Sequence, residues 1–462
     1  MRVMVIGINY APELIGVAKY TTELCESLAA HGHAVRVVTA PPYYPDWKVA
    51  AGYRSKWYAR ENLNDVDIIR APIYVPGRPS GAKRLLHHAS FMAAAVIPLL
   101  WNAARWRPDV VFAVAPSLLS APIAALAARM TGAISWLHVQ DMEVDAAFEL
   151  GLLRKDTLTH RLMLGVERWI FGAFDRISTI SPQMMLCLEK KGIAPKKLWE
   201  FRNWIDTGAI LPGSNQTRLR RELGLKPTDV VALYSGAMSN KQGLELIIEA
   251  AAATHSTHPF LQYVLCGNGP VKPALVQRAS GLDNVQFLDL QPLARVSELL
   301  STADVHLLPQ KAQVSDLVLP SKLAGMLASG RPVIAMAAAG TGIALEVEGA
   351  GLVIPPGDAQ ALAAAVTRLA GDATLRSRLG AVARIRAEKN WDRLPIIRSL
   401  EHEFLAYPQR PAVATPRPRQ PAQPVRSIER VATGSRRRPE SGGRLPATQL
   451  RPQPTGIRTG KE

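Results

Sequence analysis

Cysteine is scarce in this chain: three in 462 residues, Cys25, Cys187 and Cys266, with no C-x-x-C spacing. That argues against a disulfide framework and against cysteine-held zinc, and it fits a reducing compartment. The first apolar run, "RVMVIGI", leads into "NYAPELIGVAKYTTEL", which holds one glycine, Gly16, and no G-x-G-x-x-G. The dinucleotide fingerprint is therefore missing from the place where it would stand. No D-x-D follows a strand pattern, so the usual carboxylate pair for a divalent cation is missing too. The first residues run straight into a strand pattern, so no signal peptide is expected.

What is present suits a globular chain of two or three domains: 48% hydrophobic and 20% charged residues. The formal net charge is +17, and about half of it lies after residue 407, where about 12 Lys/Arg face 3 Glu. That stretch is rich in Pro, Arg, Gln, Thr and Gly without an apolar pattern, and its composition predicts disorder.

Apolar strands alternate with helical patterns along the body. "VMVIGI", "AVRVVTA", "VDIIRAPIYV", "PDVVFAVAP", "AISWLHVQD" and "FDRISTIS" read as strands, with "LLSAPIAALAARMTG" as a small-residue helix. The pattern restarts at "DVVALYSGAM" and continues through "LQYVLCGNGP", "VSELLSTADVHLLP" and "PSKLAGMLASGRPVIA". Such alternation predicts parallel sheets covered on both faces. The expected division is 1–205, 206–390 including the linker, a closing helix 391–407, and the tail 408–462. The closing helix could pack on either domain.

Ligands of such sheets lie at the carboxyl ends of the strands. Gly236 ends one strand, and Lys241 and Gly243 follow at a helix start, a combination that suits phosphate. "CGNGP", with Gly267, Asn268 and Gly269, repeats the strand–glycine turn. Pro320 suits a first helical turn, which puts Ser321, Lys322 and Leu323 at a helix N-terminus.

These stretches, with "LHVQDMEVDAAFELGLL" and "RNWID", resemble the family 4 glycosyltransferases over about residues 1–405. The resemblance is to the branch of colanic acid and exopolysaccharide biosynthesis. It implies the α/β fold called GT-B, two Rossmann-like parallel-sheet domains facing across a cleft. It also implies a retaining transfer from a nucleotide-sugar. Gly16 is then similar to the loop glycine that approaches the donor diphosphate and the acceptor. His138 matches the histidine at the sugar end of the donor; read without the resemblance, it is more simply a core histidine. Asp141 would face the acceptor, or else cap a helix. Asn203 matches the hinge stretch, where Trp204 replaces a glycine.

The chain departs from the family in two places. Ala237 stands where a phosphate-binding arginine is common, which shifts that load to Lys241. Leu317 and Gly325 stand where two glutamates are common, with Asp316 next to Leu317 as a substitute. The resemblance implies that Lys241 and helix N-termini neutralise the leaving diphosphate without metal or cofactor, and that the departing phosphate takes the acceptor proton. It further implies a GDP-sugar such as GDP-fucose, with UDP-sugars close behind, and a polyprenyl-diphosphate-linked acceptor. A sugar-nucleotide epimerase on the same fold is the alternative enzyme. A nucleic-acid binder is suggested only by the charge, and the tail lacks the aromatic interleaving such binding uses.

One segment points to a membrane. "RLLHHASFMAAAVIPLLWNAARW", residues 84–106, is apolar through its middle, with about 13 uninterrupted residues, or roughly 20 Å of helix. That is shorter than a bilayer core, and Pro98 should kink it. The segment is expected either to be buried against the sheet or to lie in the interface, with Lys83, Arg84, Arg105 and Arg107 at anionic headgroups and Trp101 and Trp106 at the boundary. The resulting expectation is a cytoplasmic protein held peripherally on the inner membrane face.

Overall fold

The computed structural model describes residues 1–14, 16–54, 57–142, 158–214, 216–311 and 319–407, with main chain only at 158–160 and 241. The basic tail 408–462 and Asp316 lie outside the described residues.

Two sheets form. The first has eight strands in the order β3-β4-β2-β1-β5-β6-β7-β8: β1 (Arg2–Ile6), β2 (Ala34–Thr39), β3 (Ala59–Leu63), β4 (Val66–Arg70), β5 (Val110–Ala115), β6 (Ile134–Val139), β7 (Arg176–Thr179) and β8 (Leu198–Glu200). All pairs are parallel except β3 with β4. The second has six parallel strands in the order β11-β10-β9-β12-β13-β14: β9 (Val230–Ser235), β10 (Leu261–Cys266), β11 (Val285–Leu288), β12 (Val305–Leu308), β13 (Val333–Met336) and β14 (Gly351–Ile354). Central strands such as β5, "VVFAVA", are buried at every position, as a sheet covered on both faces requires. The strand expected to continue through Val75 ends at Arg70. The hairpin joining β3 to β4 turns on Asn64 and Asp65, both with positive φ, and no glycine marks it in the sequence.

Helices α1 (Val17–Ala30), α2 (Gly81–Trp106) and α3 (Ala121–Thr131) cover the first sheet. On one face Phe91, Ala95, Leu99 and Ala103 of α2 and a run of alanines in α3 pack on Met4, Ile6, Val111 and Ala113. On the other face Tyr20, Leu24 and Leu28 of α1 share a core with Val3, Val5, Phe112 and Trp136. The closing helix, Arg393–Ala406, joins that second core through Ile397, Leu400 and Phe404, which settles its place on the first sheet.

α2 runs unbroken for 26 residues with Pro98 inside it, so it is about 39 Å long. By length and composition it could cross a bilayer, unlike the shorter apolar stretch read from sequence. Its Phe91–Ala103 face is nevertheless part of the protein core. Proline lacks the N–H that would bond the Ala94 carbonyl, and the Tyr58 hydroxyl donates to that carbonyl instead, at 3.0 Å. The opposite face exposes Leu85, Leu86, Ile97 and Trp101. Trp106 does not join them: it packs on the core with the Arg36 guanidinium over its ring.

Candidate active site

The carboxyl end of the first sheet carries the turn after β1. Gly16 caps α1 with φ 63° and ψ −142°, a conformation that strains any residue with a Cβ. Among the described residues a Cβ there would meet no atom within 4 Å. The turn is held by a residue that sequence reasoning missed, the buried Glu13. Its carboxylate accepts from the N–H groups of Tyr43 and Tyr44 at 2.7 and 2.8 Å and from Asn9 at 2.9 Å. Burial pushes this carboxyl above its ordinary range, and the two main-chain bonds oppose the shift.

His138, near the end of β6, is buried among Phe112 and Phe201, and its Nδ1 lies 3.0 Å from Ser178 Oγ on β7. Burial pushes it down to about 3, so the ring is neutral at physiological pH. The Ser178 hydroxyl also accepts from the Trp136 indole at 2.8 Å, which fixes both rings. Ser178 was not singled out from the sequence. Asp141 is exposed just past β6, next to a small recess formed with Ala115, Met142 and Glu167. Glu167 itself is buried and paired with Lys191 at 2.5 Å.

The second sheet places its turns side by side. Gly267 and Gly269 have a reason that sequence alone did not give. A Cβ on Gly267 would sit 1.9 Å from the Gly236 carbonyl oxygen, and one on Gly269 would sit 2.1 Å from that of Met238. The two loops touch main chain to main chain, and Asn268 takes part through its carbonyl, which accepts from Met238 N–H at 2.9 Å. The N–H groups of Gly236 and Gly267 donate to the carbonyls of Cys266 and Leu288. A phosphate cradle built from those two N–H groups is therefore ruled out by bonds already made.

Lys241 and Gly243 do not open the helix directly. Residues 240–242 form a single tight turn closed by a Ser239–Gln242 capping box, with Gly243 at φ 65°, and the helix begins at Glu245. Glu245 occupies the positive end of that helix and pairs with Lys311 at 2.8 Å, a lysine after β12 not picked out from sequence.

The lysine best placed against the strand-end glycine is Lys322. A Cβ on Gly236 would lie 3.4 Å from Lys322 Cδ and 3.8 Å from Nζ. Nζ donates to Tyr234 Oη at 3.2 Å and stands 4.3 Å from that ring's centroid. The tyrosine hydroxyl in turn donates to the Ala237 carbonyl at 2.6 Å. The loop position where related enzymes carry arginine is thus tied to Lys322 through Tyr234. Among the described residues no carboxylate pairs with Lys322, and burial pushes its ammonium down to about 7. Ser321 beside it is exposed and Leu323 is fully buried in the sheet's core. A lysine at a helix start and against a glycine, with no counter-ion among the described residues, is suited to an anionic ligand.

The two halves touch through the helix Pro182–Lys190 and Arg202 on one side and the helix Gly342–Val347 on the other. A Cβ on Gly342 would lie 2.9 Å from the terminal amide of Gln183, so the two residues face each other across the junction. Arg202 bonds Glu346 at 2.5 Å, and the same carboxylate accepts from Trp391 at 3.0 Å. Trp204, where a hinge glycine is usual, packs on Tyr20 and Phe201 and donates to Glu23 at 2.6 Å. The side chain anchors the start of the linker to the first sheet.

Comparison with known proteins gives a consistent result. Residues 16–204 match the glycosyl transferase 4-like domain and 229–372 match the glycosyl transferases group 1 domain. Over 411 residues the chain is 38% identical to the Escherichia coli protein named as the colanic acid biosynthesis glycosyl transferase WcaI, covering 87% of this chain and all of the other. Among solved structures, sucrose-phosphate synthase from Thermosynechococcus elongatus superposes with a TM-score of 0.66 at 21% identity, over 87% of this chain and 98% of that one. Anabaena HepE in complex with UDP and glucose gives 0.62 at 15% identity, over 88% and 99%. The fold is GT-B.

Proposed function

Because this chain belongs to the glycosyltransferase family that pairs a 4-like with a group 1 domain, we propose that it moves a sugar, with retention, from a nucleotide-sugar to a lipid-linked acceptor in exopolysaccharide assembly. The observation that carries the reading is the end-to-end match to a protein named for colanic acid biosynthesis. A GDP-sugar such as GDP-fucose is the favoured donor, and a UDP-sugar is the second choice.

In this reading the diphosphate lies over Gly236, with the ammonium groups of Lys322 and Lys241 neutralising the charge that develops on the leaving phosphate. No metal is needed for that role. His138, held neutral, contacts the sugar as a hydrogen-bonding group rather than as a cation. Gly16 leaves room for donor and acceptor above the β1 turn, and Asp141 faces the acceptor. The C1–O bond to the phosphate breaks while the acceptor oxygen bonds C1 on the same face, and the departing phosphate takes the acceptor proton. No carboxylate nucleophile is required.

A polyprenyl-diphosphate acceptor must be met at a membrane. The exposed Leu85, Leu86, Ile97 and Trp101 of α2, flanked by Lys83, Arg84, Arg105 and Arg107, suit peripheral attachment to an anionic inner face. The test of the donor is a thermal-shift panel of GDP- and UDP-sugars, in which a bound donor raises the melting temperature by mass action. If none of the panel raised it, the nucleotide-sugar reading would fail.

A further inference from the structure

At the amino ends of the second sheet's strands, opposite the strand ends that form the candidate active site, lies a cavity of about 270 Å³. Its walls come from three places: the linker at Gly213 and Ser214, the turn Gly330–Pro332 before β13, and Arg376 and Ser377 of the helix Ala373–Asn390. Asp304, just before β12, supplies the carboxylate of the lining.

The charges around it do not balance. Asp304 is engaged by the buried Arg220 at 2.5 Å and by the N–H of Val231 at 2.8 Å. Arg331 donates to the carbonyls of Gly213 at 2.7 Å and Ser301 at 3.4 Å. Arg376 donates to those of Leu369 and Ala370. Main-chain carbonyls fix these two guanidinium groups in place without cancelling their charge. Buried Nε of Arg331, and Nε and Nη1 of Arg220, make no hydrogen bond. Burial holds Arg331 below the usual guanidinium value; Asp304 opposes this, and Arg220 and Arg376 add to it. Among the described residues, three guanidinium groups thus stand around the Asp304 carboxylate, which Arg220 bonds, with orphan donors among them, beside a cavity lined by two hydroxyls. Fixed guanidinium forks and hydroxyls match the oxygens of a phosphate group.

We propose that this cavity is a second anion site, which takes a phosphate group between Arg331, Arg376, Ser214 and Ser377. Its volume is below the roughly 300–1,000 Å³ of sites for drug-sized ligands, so the occupant is compact: inorganic phosphate or a small phosphate ester. Because Arg331 also holds the linker at Gly213, an anion there ties the linker more firmly to the second sheet.

The test is calorimetric titration of the full chain with inorganic phosphate, and separately with a hexose phosphate, at ionic strength matched with chloride. Ser377→Glu puts a carboxylate into the cavity from an exposed position near a helix N-terminus, where acid is tolerated. It should leave the melting temperature without phosphate unchanged and weaken phosphate binding by about tenfold or more. Arg376→Gln should weaken it similarly, whereas Lys322→Ala, in the candidate active site, should leave it intact. Tighter binding of the ester assigns the site to esters, and equal or weaker binding assigns it to free phosphate. The proposal is overturned if phosphate does no more than chloride, if binding survives Ser377→Glu, or if Lys322→Ala alone abolishes it.

Discussion

Replacing Lys322 with methionine separates a ligand-binding lysine from a structural one. Among the described residues the Lys322 side chain makes one hydrogen bond, to Tyr234, and a cation–π contact with the same ring. Its ammonium is pushed from an ordinary 10.5 down to about 7 by burial, so at neutral pH it is close to half protonated before any ligand arrives. Removing it should therefore not destabilise the free protein at pH 7, because the wild type bears there the cost of burying a partly charged ammonium, which exceeds what a cation–π contact returns. The pH dependence has a definite sign. Between about 7 and 10.5 the unfolded chain holds the proton and the folded lysine does not, so wild-type stability should rise with pH across that window, by up to about 1.4 kcal/mol per unit. The methionine variant should lack this rise. Turnover should fall by about 10²–10³, as when one preorganised donor to a developing negative charge is lost. Donor titrations above pH 7 should show proton uptake in wild type, because the diphosphate restores the charge. Chemical denaturation at pH 7 and 9 and steady-state kinetics are the assays. Near-wild-type turnover would refute the assignment, and a collapse of stability at pH 7 would make Lys322 a packing residue.

If His138 contacts the sugar as proposed, His138→Ala should lower turnover more than nucleotide affinity; loss of folding instead would leave it as a core residue beside Phe112 and Phe201. Protein truncated after Tyr407 should sediment with anionic liposomes at low salt, and Ile97→Asp with Trp101→Glu should release it; truncated protein that stays in the supernatant sinks the interfacial role of α2. The same truncation should leave transfer to a soluble acceptor unchanged, and EDTA should have little effect; full inhibition by EDTA would reinstate a metal.

The strand ends were legible because buried parallel strands are written as apolar runs and the turns after them carry glycine. The elements not named in advance, β3, β8, β11 and β14, are short, and two of them are the edges of the second sheet in its strand order. Their stability comes from neighbours distant in sequence, which no local pattern records. The glycines of "CGNGP" were visible, but their reason was not. Gly267 and Gly269 answer to the main chain at Gly236 and Met238, some thirty residues away. Lys322 could be placed at a helix start from Pro320, yet its link to Ala237 runs through Tyr234, whose side chain sequence had no means of aiming. Glu13 and Ser178 are ordinary residues in sequence and become site supports only through the partners the fold brings to them. The tryptophan at 204 read as a departure from a hinge glycine, and it proves to be an anchor on Tyr20 and Glu23.

The proposed reaction is transfer of a sugar from a nucleotide-sugar with its anomeric configuration kept. Proton NMR of the product, formed from the donor that raises the melting temperature and a polyprenyl-diphosphate-linked acceptor, tests it directly. One nucleoside diphosphate should be released per acceptor glycosylated, and the anomeric coupling in the product should match the donor's. An inverted anomer, or donor converted to another sugar with no acceptor present, would contradict it.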